Sequence, residues 1–300
     1  MGQRSGPQPA DLLTHSRQRL LSVLAHPDDE SFGMGGTLAL YAQRGVEVHL
    51  ICATRGEAGM MDPEHLQGYA SVAEKREAEL RCAARILGLR EVHFLDYRDS
   101  GMPGSTDNQH PQALAAAPLD QVAAQIARII RQVKPQVVLT FDPIGGYRHP
   151  DHIAIHKATL LAYEAAGDPT VDLDDLPPYT PEKLYYHTIS RRFLRVAVRL
   201  MPLFGKDPTR WGKNGDIDLK SLAIEDFPTH AVVDFTPVRE LKAEASACHL
   251  SQGGAGLAQG IWGWIMRFAG SKEMFMRAYP APANGVVEKD LFTGIAEEQR

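Results

Sequence analysis

The sequence predicts an α/β protein: a mostly parallel sheet with helices on both faces. Three observations carry this reading. Short apolar runs rich in β-branched residues alternate with amphipathic helical segments from Arg19 to about His187, the pattern of βαβ units. The helical segments end at clear stops, Gly88 after one and Pro135 after another. Every cluster of chemically useful side chains falls just after a strand, where parallel sheets bind ligands. Together these describe a Rossmann-like sheet, followed by a smaller, irregular C-terminal portion.

In chain order, residues 1–18 are polar and carry Pro7 and Pro9, and read as a flexible arm. The catalytic domain is expected over residues 19–190. Leu20–Ala25 is a strand, followed by a helix over Gly33–Gln43 entered through Gly33-Met34-Gly35-Gly36. These glycines read as allowing close helix–sheet packing, because a nucleotide-binding loop would not have His-Pro-Asp-Asp-Glu ahead of it. Val46–Ala53 is a strand, Ser71–Leu87 a charged amphipathic helix, Val92–Leu95 a strand and Leu119–Val133 a helix. Gln136–Phe141, Asp151–Ala165 and Leu184–Ile189 continue the alternation. Residues 167–181 are acidic and proline-rich, as in a surface loop. Residues 191–300 read as an extension packing near the active site: a strand at Val232–Phe235 and helices at Pro237–Leu250 and Ile261–Ala278. Trp262, Trp264, Phe268 and Phe275 form an aromatic stripe on the last of these, read as core or subunit packing. Whether Gly253–Gly256 forms a lid is left open.

Composition narrows the functional classes. With 44% hydrophobic and 23% charged residues, the chain is an ordinary globular protein. A net charge of −5 with no basic stripe gives no reason to expect nucleic acid or an anionic membrane as partner. No segment approaches the ~18 apolar residues that cross a bilayer. Cys52, Cys82 and Cys248 are odd in number and scattered, so they read as buried fillers in a reducing cytoplasm, without a disulfide.

Two strand ends carry the chemistry. The first strand runs into His26-Pro27-Asp28-Asp29-Glu30, and the strand ending at Phe141 leads to Tyr147-Arg148-His149-Pro150-Asp151-His152. A catalytic zinc takes three protein ligands and leaves one position open. His26 and Asp29, three apart at a strand-to-helix turn, supply two, and His149 or His152 the third. Asp28, beside a ligand yet pointing elsewhere, is placed to take a proton from water. The remaining histidine can stabilise an oxyanion or act as an acid. Any one of these residues alone would read as a cap or a surface group; two such clusters after two strands do not.

Ala25-His26-Pro27-Asp28-Asp29-Glu30 together with Gly145-Gly146-Tyr147-Arg148-His149-Pro150-Asp151-His152 resembles the LmbE/PIG-L family of zinc-dependent N-deacetylases, over roughly residues 19–190. Tyr97-Arg98-Asp99-Ser100-Gly101-Met102 resembles the branch that acts on sugar precursors of low-molecular-weight thiols, in the mycothiol and bacillithiol pathways. The resemblance implies His26, Asp29 and His152 as Zn²⁺ ligands, and Asp28 as the general base. It implies His149 as the group on the oxyanion or leaving amine, and Tyr147 as a second contact to the tetrahedral intermediate. Asp151 would orient a histidine. Arg76 and Asp99 match positions that contact substrate hydroxyls, and Glu57 lies close by. Arg148 stands where the family often has a small residue, and either reaches toward an anionic group or is solvated. Cys248-His249-Leu250-Ser251-Gln252 matches only loosely.

The expected activity is hydrolysis of the N-acetyl group of an N-acetylglucosaminyl compound, of the GlcNAc-malate or GlcNAc-inositol type. An amidase of thiol S-conjugates is the alternative. Fe²⁺ and Co²⁺ suit the same ligands. An iron oxygenase is disfavoured by the alternating fold, and a serine hydrolase by the lack of a Gly-x-Ser-x-Gly elbow or a base paired with Ser100. A small amino sugar is the expected partner, with neither nucleic acid nor membrane, and the resemblance adds a homo-oligomer. His187, His230 and His249 read as structural or exposed, with one of them free to line the site.

Overall fold

The computed structural model describes residues 18–189, 191–210, 215, 218–254, 271–283 and 285–296. The predicted alternation is present. Among the described residues, seven strands form one sheet: β1 Arg19–Leu24, β2 Glu47–Thr54, β3 Glu91–Tyr97, β4 Val137–Phe141, β5 Lys183–Thr188, β6 Ala231–Asp234 and β7 Lys272–Tyr279. Their order is β3-β2-β1-β4-β5-β7-β6. The first five are mutually parallel; β7 runs antiparallel to both β5 and β6. The helices are a one-turn α1 (Asp29–Phe32), α2 (Gly35–Gln43), α3 (Val72–Leu87), α4 (Leu119–Val133), a kinked turn α5 (Gly145–Arg148), α6 (Pro150–Gly167), α7 (Arg191–Leu200), a one-turn α8 (Leu219–Leu222) and α9 (Arg239–Cys248). α4 packs on α6 on one face, and α2 and α3 pack with α9 on the other.

Parallel strands buried on both faces explain why β1 and β4 read as unbroken apolar runs. Leu20, Leu21 and Val23 of β1, and Val137, Val138 and Leu139 of β4, have no exposed surface. Strand order reverses at β1: β2 and β3 extend the sheet to one side, β4 and β5 to the other. A crevice therefore opens beyond the carboxyl ends of β1 and β4, where open α/β sheets bind ligands.

The last predicted helix, Ile261–Ala278, lies outside the described residues up to 270; the remainder is strand β7. Lys272–Tyr279 contains good helix formers, but hydrogen bonding to β5 and β6 overrides that local preference. Its inward residues alternate, with Glu273 and Phe275 buried. Phe275 is in the core against Tyr185 and His187, whereas Trp262, Trp264 and Phe268 lie outside the described residues. Of the Gly253–Gly256 stretch only the first two are described; Gly253 ends a single helical turn in left-handed geometry.

Gly36 shows why glycine occupies the start of α2. A Cβ there would lie 2.2 Å from the Phe235 ring. The free amides of Gly36 and Thr37 donate to the Glu273 carboxylate at 3.1 and 2.7 Å. The helix N-terminus is thus capped by the protein's own carboxylate.

The cysteine expectation is corrected. Cys82 of α3 and Cys248 at the end of α9 form a disulfide with a Cα–Cα distance of 5.9 Å, and only Cys52 is a free, buried thiol. The partners are 166 residues apart, and a count of scattered cysteines does not reveal that α3 and α9 pack side by side. Replacing both with serine should lower stability by about 2–4 kcal/mol, because the cross-link closes a long loop in the unfolded chain. Urea unfolding of the oxidised wild type against the double variant checks this.

Candidate active site and metal centre

β1 ends at Leu24, and the chain turns directly into α1. The His26 amide donates to Asp29 Oδ2 at 2.8 Å, which brings the two side chains to one side of the turn. Across the crevice, β4 leads through Gly145 and Gly146, both at φ +66°, into α6. A Cβ on Gly145 would sit 2.8 Å from the Cβ of His152, so glycine is what lets this turn close over the helix. Pro150 begins α6, and Asp151 and His152 occupy its first turn.

Three donor groups converge. His26 Nδ1 and His152 Nε2 are 3.2 Å apart. Asp29 Oδ1 is 3.2 Å from His152 Nε2, and Asp29 Oδ2 is 3.5 Å from His26 Nδ1. Ligand atoms about 2.0–2.1 Å from a tetrahedral ion are roughly 3.3 Å from each other, so this set fits a divalent transition metal. Burial alone would lower the pKa of His26, yet Asp99, Asp151 and Asp29 hold it well above its usual value.

His26 and His152 are braced from behind. His26 Nε2 is 3.1 Å from Asp151 Oδ2 and 3.4 Å from Asp99 Oδ1. The His152 ring stacks on Phe141, with centroids 3.9 Å apart. Ser100 supplies the missing link: its amide donates to Asp151 Oδ2 at 2.9 Å and its hydroxyl donates to Asp151 Oδ1. Ser100→Ala should weaken metal affinity by about 10–100-fold through Asp151 and His26, as loss of such outer hydrogen bonds does elsewhere. Competition with a chromophoric chelator measures it.

Asp28 sits at φ 124°, outside the ordinary regions for a non-glycine residue. It is held there from two directions. Its carboxylate accepts from Arg76 Nη2 at 2.9 Å, and its amide donates to Glu30 Oε2 at 3.0 Å. Burial pushes the Asp28 carboxyl up to about 6, with Asp29 adding to the rise and Arg76 opposing it. A carboxylate near neutrality suits a general base.

His149 caps α6, its Nδ1 accepting from the Asp151 amide at 3.2 Å. The neutral ring therefore carries its proton on Nε2. Burial, with His26 and His152 nearby, pushes its pKa far below the usual histidine range, so it stays neutral. The Tyr147 ring lies against both histidines, 5.0 Å from the His152 centroid and 5.8 Å from that of His149. Burial raises its phenol, which keeps the hydroxyl proton available.

The residues expected to contact substrate each have partners within the protein. Arg76 is buried and its two terminal nitrogens bind the protein itself: besides Asp28 it donates to the Gly56 carbonyl at 3.0 Å and to the Pro27 carbonyl at 2.6 Å. Asp99 faces His26 and accepts from the Gly101 amide at 2.8 Å. Glu57 accepts from the Asp99 amide at 3.0 Å. Arg148 is half exposed and pairs with Glu225 at 3.3 Å. All four are close-packed supports or protein ion pairs in this structure.

The sequence pattern gives no partner to Glu30 and leaves His249 as structural or exposed. His249 Nε2 is 2.7 Å from Glu30 Oε1, and both side chains have no exposed surface. Burial alone would raise Glu30 and lower His249; the pairing reverses both, so Glu30 lies below and His249 above its ordinary value. Ser251 binds Glu79 of α3 through its amide at 3.0 Å and its hydroxyl at 2.6 Å. The stretch 248–251 thus fastens the C-terminal portion to α3 and to the turn that carries Asp28.

A near-neutral carboxylate, a neutral imidazole and a metal-type donor set at the switch point of this sheet are the parts of a hydrolase, and the relatives place it in the deacetylase class. The chain belongs to the PIG-L family: its residues 21–163 match the family described as GlcNAc-PI de-N-acetylase. The 1D-myo-inositol 2-acetamido-2-deoxy-alpha-D-glucopyranoside deacetylase of Kineococcus radiotolerans is 37% identical, over 96% of this chain and 87% of that protein. Its counterpart in Streptomyces scabiei is 41% identical over 83% and 80%. Among solved structures, the N,N'-diacetylchitobiose deacetylase of Pyrococcus horikoshii superposes with a TM-score of 0.60 at 23% identity, covering 87% of this chain and 84% of that one. The 4-carboxy-2-hydroxymuconate hydratase of Pseudomonas putida gives 0.58 at 20%, covering 90% and 99%. The fold alone therefore hosts more than one reaction, and the chemistry must be read from the site.

Proposed function

We propose that this protein is a zinc-dependent deacetylase that removes the N-acetyl group from an N-acetylglucosaminyl-inositol, releasing acetate and the free amine. The convergence of His26, Asp29 and His152 donors beside a strained, near-neutral Asp28 carries the reading. The names of the relatives favour inositol over malate as the aglycone. With the resemblance of Tyr97–Met102 to the thiol-precursor branch, the reading extends to the mycothiol pathway.

Zinc held by these three side chains would supply Lewis acidity and make water acidic enough to attack near neutral pH. Asp28 takes the proton of the attacking water. The Nε2–H of neutral His149 donates to the oxygen of the acetyl carbonyl as charge develops there, and the Tyr147 hydroxyl is a second donor. The proton collected by Asp28 is then available to the leaving nitrogen. Asp151, fixed by Ser100, keeps His26 in one orientation throughout.

The test is acetate release by metal-stripped protein, with and without Zn²⁺, from GlcNAc-inositol, GlcNAc-malate and a thiol S-conjugate, beside Asp28→Ala and His26→Ala. Zinc-dependent release, fastest from the inositol glycoside and lost in both variants, is the expected result. A preference for the S-conjugate would make the protein an amidase, and activity independent of added metal would overturn the mechanism. The reading also includes a cytoplasmic location, where the Cys82–Cys248 bond would have to persist against a reducing pool. Trapping thiols with an alkylating agent at cell lysis reports whether it does.

A further inference from the structure

We propose that His49, His93 and Glu91 form a second site for a borderline divalent transition metal of the Zn²⁺ class, separate from the catalytic centre. β2 and β3 are parallel neighbours, with His49 opposite Glu91 and Ile51 opposite His93. Glu91 and His93 are two apart on β3, so they share a sheet face, and the register places His49 on that face beside them. Their polar atoms converge: His49 Nδ1 is 3.4 Å from His93 Nε2, and Glu91 Oε2 is 3.7 Å from His93 Nε2 and 4.0 Å from His49 Nδ1.

These separations are those of an ion's donor shell with one loose member. The two nitrogens already have the spacing of roughly 3.3 Å set by a tetrahedral zinc. The carboxylate needs to move about half an ångström, and its side chain is 59% exposed. The histidines are firmer, at 9% and 17% exposure, so the register of β2 and β3 presets the imidazole pair. A hydrogen-bonded cluster explains the convergence less well, because only the His49–His93 contact is within hydrogen-bonding distance. Burial lowers both imidazoles, His93 adding to the effect at His49, although Glu91 opposes it at each. Both rings are thus neutral near pH 7, the form that binds a metal.

The site is distinct from the catalytic one. His49 lies five residues before the end of β2 at Thr54, about 16 Å along the strand and away from the carboxyl ends. Two imidazoles and a carboxylate suit Zn²⁺, Ni²⁺ and Cu²⁺, with water completing the shell. Bound there, an ion would cross-link the edge strand β3 to β2.

Equilibrium dialysis of the metal-stripped protein against Zn²⁺ tests this, with folding of each variant checked by circular dichroism. The wild type should bind two ions per chain. His93→Ala and the surface change Glu91→Ala should each keep one tight ion and weaken the other at least 10-fold. His26→Ala should lose the catalytic ion and keep the second. In that background Co²⁺ should give the absorption of an oxygen- and nitrogen-ligated ion, lost again on adding His93→Ala. A single ion per wild-type chain, or a second ion that survives His93→Ala unchanged, would overturn the proposal. Because the two sites are emptied by different variants, failure here leaves the deacetylase reading untouched, and failure of that reading leaves this one.

Discussion

Asp28→Asn should reduce kcat by about 10²–10⁴-fold while leaving one catalytic zinc bound, the range expected when a general base is removed from an otherwise intact site. Asparagine is the informative replacement. It keeps the shape of the side chain and an oxygen for the Arg76 guanidinium, and it tolerates positive φ better than most residues. Alanine would leave the buried Arg76 without its carboxylate and mix a structural cost into the result. His26, Asp29 and His152 are unchanged, so metal content should match the wild type. KM should move little, because the Asp28 carboxylate acts on the attacking water and not on the sugar. A variant retaining more than about a tenth of wild-type kcat would remove Asp28 from the role of base.

How far this site is legible in the sequence depends on chain distance. His26, Asp28 and Asp29 lie within one turn, and His149, Asp151 and His152 within another. Each set follows an apolar strand, and the two strands are neighbours in the sheet. Local pattern is enough to find both. The supports are a different matter. Arg76 reads as a substrate contact because its position in the α3 segment matches one, but only the packing shows its guanidinium against Asp28 and the Pro27 and Gly56 carbonyls. Ser100 follows an ordinary strand end, and its partner Asp151 is 51 residues away. Glu30 and His249 are 219 residues apart, and Cys82 and Cys248 are 166. No periodicity connects such pairs; they meet because α9 lies across α1, α2 and α3. β7 is hidden for the same reason. Its residues suit a helix locally, and the partners that make it a strand, β5 and β6, are remote in sequence.

His249→Ala should therefore do two separable things. It removes the partner of a buried carboxylate, and unpairing a buried charge of this kind costs about 3–5 kcal/mol. It also releases Glu30, whose other oxygen holds the Asp28 amide in its left-handed geometry. At a temperature where the variant remains folded, kcat should fall while KM and zinc content stay near wild type, since neither the metal ligands nor the sugar site is touched. His249→Gln, whose amide can still donate to Glu30 Oε1, should restore much of kcat while recovering less stability. A merely structural role would move stability and leave kcat per folded molecule unchanged. The sign of the pH dependence provides a second check. The folded-state pKa of His249 is raised, after the cost of burial, by Glu30, so its contribution is complete below the ordinary histidine value of about 6.5 and is lost as pH rises through the raised value. The gap between wild type and His249→Gln in urea unfolding should thus narrow toward alkaline pH. A gap that widened there would mean that His249 is neutral in the folded protein and that Glu30 is held by something else.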